Sequence, residues 1–265
     1  MWPSLLLSAL SSLSLVSAVQ EPLPRVPTPQ RAQERELYLL HYDTGELHAF
    51  EPDTRVVRLV GRTGLLDPAA LSAGPDGHLY SFTTDGRFWK IDPRDAQTMF
   101  VGNLGLSNVF EGGLAIDDEG RALGFNEGNG ITPGLFEVDL TTGAAQFVGT
   151  PGIGDFNGLA FREDGKLIAL DRIHNSLWVI DPDDLSRTLL TALLPAVGAA
   201  GGVTIQEGIG FFVTGGTPGT FGGTHELWTF DPFTGSSRML VPLPDNLEGV
   251  GVAGLCYADP EAVED

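Results

Sequence analysis

Hydrophobic positions in this chain follow a pattern that occurs five times. In each copy, apolar or aromatic residues predominate at the second, third and fifth positions. An acid and usually a proline come next, and a second apolar run ends the copy. The copies align without a gap at Glu46–Gly61, Arg87–Gly102, Gly134–Gly149, Ser176–Thr191 and Glu226–Val241. Their starts lie 41, 47, 42 and 50 residues apart, a repeat length typical of solenoids and propellers.

Each copy is predicted to form a β-hairpin. Its first run is rich in aromatic and β-branched residues, which favour strands. An Asp-Pro step starts a tight turn, because the carboxylate accepts nearby backbone N–H groups and proline presets φ. Gly143 and Gly235 stand where a left-handed residue would close that turn. The acids recur in every copy, so we interpret them as turn residues rather than as a functional set: Glu51, Asp92, Asp139, Asp181 and Asp231.

Two further strands precede each hairpin. The nearer ones (strands b) are Glu36–Tyr42, His78–Phe82, Arg121–Phe125, Lys166–Leu170 and Gly210–Val213. The farther ones (strands a) are Leu71–Ala73, Leu114–Ile116, Leu159–Phe161 and Val203–Ile205. The two hairpin strands are c and d, so a complete repeat has four antiparallel strands.

The first repeat lacks strand a, and the missing strand is found at the other end of the chain. Gly254–Asp259 matches the pattern of Gly158–Glu163 and has no strand b of its own. We expect it to complete the first repeat and so remove the open edge of a linear array. The sequence therefore predicts an all-β fold with almost no helix: a single five-bladed β-propeller, with six blades as the alternative.

Composition supports this class and excludes others. The 265 residues include 35 Gly and 18 Pro, which suits a fold with many turns. With 15 basic and 35 acidic residues, the net charge is −20. This charge argues against nucleic acid, whose binding depends on Lys and Arg neutralising phosphates, and against an anionic membrane surface. We expect a monomer.

The ends of the chain are interpreted separately. Met1–Ala18 is uncharged and rich in Leu and Ser, and it ends in small residues, so it is predicted to be a signal peptide of a secreted protein, extracellular or periplasmic. Val19–Arg35 is a Pro-rich linker, the propeller spans 36–260, and 261–265 is an acidic tail. No later apolar run reaches the roughly 20 residues that span a bilayer. Cys256 is the only cysteine, and we interpret it as a buried packing residue.

Two segments resemble known propeller families. Asn157–Pro182 (NGLAFREDGKLIALDRIHNSLWVIDP) resembles a blade of the NHL, YVTN and regucalcin/gluconolactonase-like propellers. Gly134–Gly149 is similar to units of secreted bacterial propeller proteins of unknown function. The resemblance covers almost all of Glu36–Pro260. It implies the fold, but blades of this kind host many functions.

A binding site is expected where the d–a and b–c connections meet, because both emerge at one end of a four-stranded blade. Two b–c loops are unusually long, Asn126–Pro133 and Gly215–Thr224. Loops that break the rhythm of a repeat often cluster on the binding face. The candidate ligand-binding residues at this end are His41, Glu111, Asn126, Asn157, Asp171 and Glu248.

A metal is the second possibility at this end. Gluconolactonase-like enzymes hold a divalent metal with Glu, Asn and Asp, and the resemblance implies that Asn157 and Asp171 form part of such a set. Glu111 and Glu248 would add the oxygen ligands that Ca²⁺ or another divalent cation prefers. Those enzymes have six blades, and their full pattern is not matched at comparable spacing. In the alternative interpretation, Asn157 caps a turn and Asp171 pairs with Arg172 or with a neighbour.

Two functions remain open at this point. The first is a non-catalytic propeller that binds a ligand, a glycan or a protein on its loop-rich face. The alternative is a metal-dependent lactonase or related hydrolase. The sequence contains no G-x-S-x-G, no Walker loop and no Cys/His cluster, and catalysis is left undecided.

Overall fold

The computed structural model describes residues 35–51, 54–106, 109, 112–126, 133–152, 154–193, 201–215, 225–243 and 252–263. They belong to the compact unit Gln33–Asp265. Within them the chain forms twenty strands and no helix. The predicted signal peptide and all of the linker except Arg35 lie outside the described residues.

The strands in chain order are β1 Glu36–His41, β2 Glu46–Glu51, β3 Val56–Arg62, β4 Ser72–Ala73, β5 Leu79–Phe82, β6 Arg87–Ile91, β7 Thr98–Asn103, β8 Leu114–Ile116, β9 Ala122–Asn126, β10 Gly134–Val138, β11 Ala145–Gly149, β12 Phe156–Phe161, β13 Leu167–Asp171, β14 Ser176–Ile180, β15 Arg187–Ala192, β16 Val203–Gln206, β17 Ile209–Gly215, β18 His225–Phe230, β19 Ser237–Pro242 and β20 Val252–Ala258.

These strands form five four-stranded antiparallel sheets. Blade one has the order β20-β1-β2-β3, and blades two to five have the orders β4-β5-β6-β7, β8-β9-β10-β11, β12-β13-β14-β15 and β16-β17-β18-β19. The protein is therefore a five-bladed β-propeller, as the repeat pattern predicts, and the six-blade alternative is wrong.

The ring is closed by the C-terminal strand. β20 pairs with β1 from Glu36↔Ala258 to Leu40↔Gly254, and a register shift precedes His41↔Val252. The innermost strands β4, β8, β12, β16 and β20 each contact the next one around the axis. The predicted closure of blade one by the end of the chain is thus confirmed.

Glycines at the starts of the inner strands allow these strands to approach closely. A Cβ added to Gly113 would lie 2.5 Å from the backbone nitrogen of Leu159, and one added to Gly158 would lie 2.7 Å from that of Val203. Gly202 and Gly254 face the next inner strand in the same way, and Ala70 occupies the fifth equivalent position. Two backbone bonds reinforce this end, from Gly202 N to Asn157 O (3.0 Å) and from Gly201 N to Val252 O (2.9 Å).

The hydrophobic core lies between blades rather than within one blade. One cluster, for example, joins Tyr38 and Leu40 of blade one to Leu79 and Ile91 of blade two. His48, at the aromatic position of its repeat, is only 1% exposed. Burial lowers the pKa of His48, which agrees with the packing role predicted for it.

The outer edge carries a register shift at one repeat position in every blade. On strand d the shift immediately follows an apolar residue that is about half exposed: Leu59, Phe100, Phe147, Leu189 and Met239. In blade two the Phe100 ring lies 5.2 Å from the Trp89 ring, edge to face. Such shifts twist an outer strand and make edge-to-edge association less favourable.

The repeated acids are turn residues, as predicted. Asp139 Oδ1 accepts the backbone N–H of Thr141 at 2.8 Å, and Asp231 Oδ1 accepts those of Phe233 and Thr234 at 2.8 and 2.9 Å. Gly143 and Gly235 close their turns with φ of 71° and 72°. The same conformation is adopted without glycine in the other three repeats, at Arg55, Ala96 and Leu185.

Candidate functional site

The d–a and b–c connections meet at one end of the propeller, as predicted. In blade one the backbone N–H of Thr63 donates to the carbonyl of Gly45 at 2.9 Å, which joins the start of the d–a connection to the b–c turn. The equivalent bond in blade two runs from Leu104 N to Gly86 O (2.8 Å). In blade four it runs from Leu193 N to Asn175 O (2.6 Å).

Polar side chains are buried at the ends of the b strands. His41, Thr83, Asn126, Asp171 and Thr214 occur there, and none is more than 3% exposed. His41 and Asn126 therefore occupy corresponding positions in blades one and three. His41 Nδ1 accepts the backbone N–H of Thr44 at 3.4 Å, so its ring takes part in the b–c turn that follows it.

Blade four brings three of the acidic and amide residues to one place. Phe156 pairs with Asp171 across β12 and β13, so Asp155 and Asn157 lie on either side of the residue opposite Asp171. Asp155 is 4% exposed, and its Oδ2 accepts Nε–H of Arg172 at 2.6 Å. Arg172 thus forms an ion pair with Asp155, whereas Asp171 contacts its neighbour His174, the second of the two partners that the sequence left open for it.

Asp171 organises the b–c turn of blade four. Its side chain is fully buried, and its Oδ1 accepts the backbone N–H groups of Ile173 and His174, both at 3.0 Å. Its Oδ2 lies 2.8 Å from Nδ1 of His174, whose side chain is 55% exposed. The buried Asp171 carboxylate thus contacts Nδ1 of the exposed His174 ring. Nε2 of that ring is directed away from the contact.

Of the proposed metal set, the structure describes only Asn157 and Asp171. Both oxygens of Asp171 are already bonded within its own turn. Among the described residues, no group of three His, Cys, Asp or Glu side chains is placed to hold a metal ion. Glu111 and Glu248 lie outside the described residues, as do most residues of both long loops, so the metal set as a whole stays a prediction.

A cavity at the opposite end was missed by sequence reasoning. It has a volume of about 560 Å³, lies among the inner strands and the a–b turns, and has Asp118, Glu163 and Glu207 among its lining residues. The signal in the sequence was the acidic composition of these turns, Asp118-Glu119-Gly120 and Glu163-Asp164-Gly165. Taken alone, such segments indicate only tight turns.

The comparisons with known proteins show similarity in fold. A chain in the crystal structure of the nidogen/laminin complex matches with a TM-score of 0.57 and 14% identity, over 86% of this protein and 81% of that chain. A protein of unknown function from Bacteroides thetaiotaomicron matches with a TM-score of 0.59 and 16% identity. That match covers 84% of this protein and 62% of the other chain. No protein-family model matches the sequence, and no curated protein matches it significantly.

These similarities support the β-propeller and leave the NHL, YVTN and gluconolactonase-like grouping as an expectation. At this level of identity they carry no assignment of activity. In the part of the chain that the structure describes, no helix is long and apolar enough to cross a membrane.

Proposed function

We propose that the protein is a secreted, non-catalytic propeller that binds a partner protein through the end where the d–a and b–c connections meet. The observation that carries this proposal is the exposure of two large apolar side chains at that end. Leu66, in the d–a connection after β3, is 82% exposed, and Ile173, in the b–c turn of blade four, is 65% exposed. Large exposed apolar residues on a rigid face are typical anchors for protein partners.

Both anchors are held by ordered surroundings. Leu65, next to Leu66, is 6% exposed, and its N–H donates to the Thr63 hydroxyl at 3.2 Å. Ile173 is fixed by the bond from its own N–H to Asp171. Side chains presented from fixed backbones lose less conformational entropy on binding than those on loose loops. The buried acids of this end therefore serve to shape the surface.

The comparison with the nidogen/laminin complex supports a protein as the class of partner. A chain of similar fold occurs in that complex, which is an assembly of two proteins. The long b–c loops predicted at the same end would add area to such an interface.

Paired variants test this proposal. We expect the purified chain, immobilised, to capture a protein from the medium of the source cells. Leu66→Glu/Ile173→Glu should abolish capture and leave the melting temperature unchanged within about 2 °C. Leu189→Glu is the matched control, since Leu189 is 49% exposed on the outer edge. Equal capture by the double variant and the control would contradict the proposal. Binding that survives protease treatment of the medium would indicate a glycan or small ligand instead.

Secretion is tested separately. We expect the full-length chain, expressed with a C-terminal tag, to appear outside the cytoplasm with Val19 as its first residue. A cytoplasmic product that retains Met1–Ala18 would contradict the secreted location without affecting the binding proposal.

The Asp171–His174 pair favours a hydrolase as the second candidate. A buried carboxylate that orients an exposed imidazole is the arrangement of a general base. We expect lactone or ester turnover, if this candidate is correct, to be lost in His174→Gln and kept in His78→Gln. Turnover unaffected by His174→Gln would exclude this base. Loss of turnover on chelation would instead restore the metal-dependent mechanism implied by the family resemblance.

A further inference from the structure

The cavity at the a–b end has the size and construction of a ligand pocket. Its volume of about 560 Å³ falls within the range of small-molecule sites. All five blades contribute to its wall: Ser72 from blade two, Ala115 from blade three, Leu159 from blade four, Thr204 from blade five and Leu255 from blade one. An adjoining cavity of about 240 Å³ shares Ser72 and Thr204 with it. The pocket therefore lies on the propeller axis.

The inner strands approach one another closely at the other end of the axis. There the glycines at the starts of the inner strands bring neighbouring backbones together, with Gly158 against Val203 and Gly202 against Leu255. A ligand would therefore enter and leave from the side of the a–b turns.

The wall of the pocket combines an apolar patch with the hydroxyl of Thr204. Leu159, Phe161, Ile205 and Leu255 provide apolar surface. Thr204 is only 9% exposed and lines both cavities. Among the described residues its hydroxyl has no hydrogen-bond partner, whereas Ser72 Oγ accepts the N–H of Ile116 at 3.1 Å. The Thr204 hydroxyl can therefore hydrogen-bond to a molecule in the pocket.

The rim of the pocket is acidic. Asp117, Asp118, Glu119, Glu163 and Glu207 line it, against two cations, Arg35 and Arg162. Arg162 is already engaged: its Nε donates to Asp164 at 2.7 Å, and its guanidinium lies 4.6 Å from the centre of the Phe233 ring.

The rim acids are largely uncompensated. Within the described ranges, Asp118, Glu119, Glu163 and Glu207 form no ion pair. Carboxylates lining the mouth of a cavity with low-dielectric walls concentrate a negative potential there. The rim thus attracts cations, and the wall beneath it offers apolar contact.

We propose that this axial pocket binds a small organic cation, an amine with an aliphatic or aromatic body. The apolar body would lie against Leu159 and Phe161, the Thr204 hydroxyl would hydrogen-bond to a polar group of the ligand, and the ammonium would lie among the rim carboxylates. This site is distinct from the protein-binding end and does not depend on it, since the two open at opposite ends of the inner strands.

Isothermal titration calorimetry with 2-phenylethylamine tests the proposal, and 2-phenylethanol serves as the neutral isostere. The amine is charged at pH 7 because its pKa is close to that of lysine, about 10.4. We expect one site per chain, at least about tenfold tighter binding of the amine than of the alcohol, and weaker binding as salt is raised. Equal binding of amine and alcohol, or no binding of the amine in the millimolar range, would overturn the proposal.

Variants locate the site. Glu163→Gln/Glu207→Gln should weaken amine binding about tenfold or more. Glu137 is an exposed acid on β10 that lines neither cavity, so Glu137→Gln should leave amine binding unchanged. Thr204→Val should weaken binding about fivefold, and Thr188→Val on the outer strand should not. If Glu137→Gln weakens binding as much as the rim variant, the amine associates with the acidic surface in general and the pocket assignment is wrong.

Discussion

Gly254 on β20 packs directly against the backbone of Leu71, at the start of the neighbouring inner strand. A Cβ added to Gly254 would come closer to Leu71 N than real Cβ contacts allow. This contact joins the last inner strand of the chain to the first, so the two ends of the repeat array meet through a residue that has no side chain.

Replacement of the inner glycines should destabilise the ring by steric overlap alone. We expect Gly158→Ala to lower the free energy of unfolding by about 1–3 kcal/mol, because the added methyl meets the backbone of Gly202 and Val203. Gly165→Ala is the control for backbone strain, since Gly165 has φ of 79° and open space around its Cβ position, and it should cost about 1 kcal/mol. Urea denaturation measures both. A smaller loss for Gly158→Ala than for Gly165→Ala would contradict the close-packed ring.

Removal of the C-terminal strand should prevent formation of a soluble monomer. Deletion of residues 252–265 removes the partner of β1 and uncovers Leu37 and Leu39, both fully buried. Loss of a strand with several buried side chains costs several kcal/mol, a large part of a typical stability of about 5–15 kcal/mol. Size-exclusion chromatography should show aggregation. Deletion of residues 19–33 should be tolerated, and a monomeric chain without β20 that keeps its melting temperature would contradict closure by this strand.

The fold was predictable because its determinants recur. Each blade repeats the same hydrophobic pattern and an acidic turn residue, so five weak local signals at similar spacing reinforce one another. Local sequence preferences do not explain the turn residues Ala96 and Leu185. Both adopt a left-handed backbone conformation that alanine and leucine disfavour, and packing between blades stabilises it.

The candidate site was less predictable, because it depends on which side chains from loops of different length come into contact. Which of Asp155 and Asp171 contacts Arg172 is determined by the register of β12 against β13 and by the turn that follows. Neither feature appears in the local sequence. The axial pocket likewise arises only when five inner strands, each unremarkable alone, surround one axis.

The aspartates of the c–d turns should make stability depend on pH in the acid range. Backbone N–H groups of Thr234 and Phe233 lower the pKa of Asp231, and the Thr141 hydroxyl and N–H lower that of Asp139. Because the pKa of each carboxyl is lower in the folded state than in the unfolded state, its ionised form stabilises the fold. This stabilisation is complete above the unfolded-state pKa, about 3.9, and is lost as the pH falls through the folded-state pKa. We expect Asp231→Asn to reduce the fall in urea midpoint between pH 5 and pH 2.5. An identical fall in Asp231→Asn and wild type would contradict this role.

The Asp155–Arg172 pair should show strong coupling. Arg172→Leu leaves the buried Asp155 carboxylate without its ion-pair partner, and we expect a loss of about 2–4 kcal/mol in unfolding free energy. In Asp155→Asn/Arg172→Leu the charge is removed as well, so part of the loss should be recovered. Additive losses in this double-mutant cycle would show that the contact contributes nothing specific.

Cys256 should report on the integrity of the closed ring. The thiol is 3% exposed on β20, and burial raises its pKa far above the ordinary value, so the reactive thiolate is suppressed in the native state. We expect Ellman's reagent to label the native protein only at the rate of global unfolding, and to label one thiol per chain at once in urea. Gly254→Ala disturbs the contact of β20 with Leu71 and should accelerate labelling of the native protein. Gly165→Ala, in the a–b turn of blade four, is the control. It should accelerate labelling only as far as it lowers global stability. Rapid labelling of the native wild-type protein would mean that β20 opens independently of the other blades, and the C-terminal strand would then be a detachable edge rather than the closure of the ring.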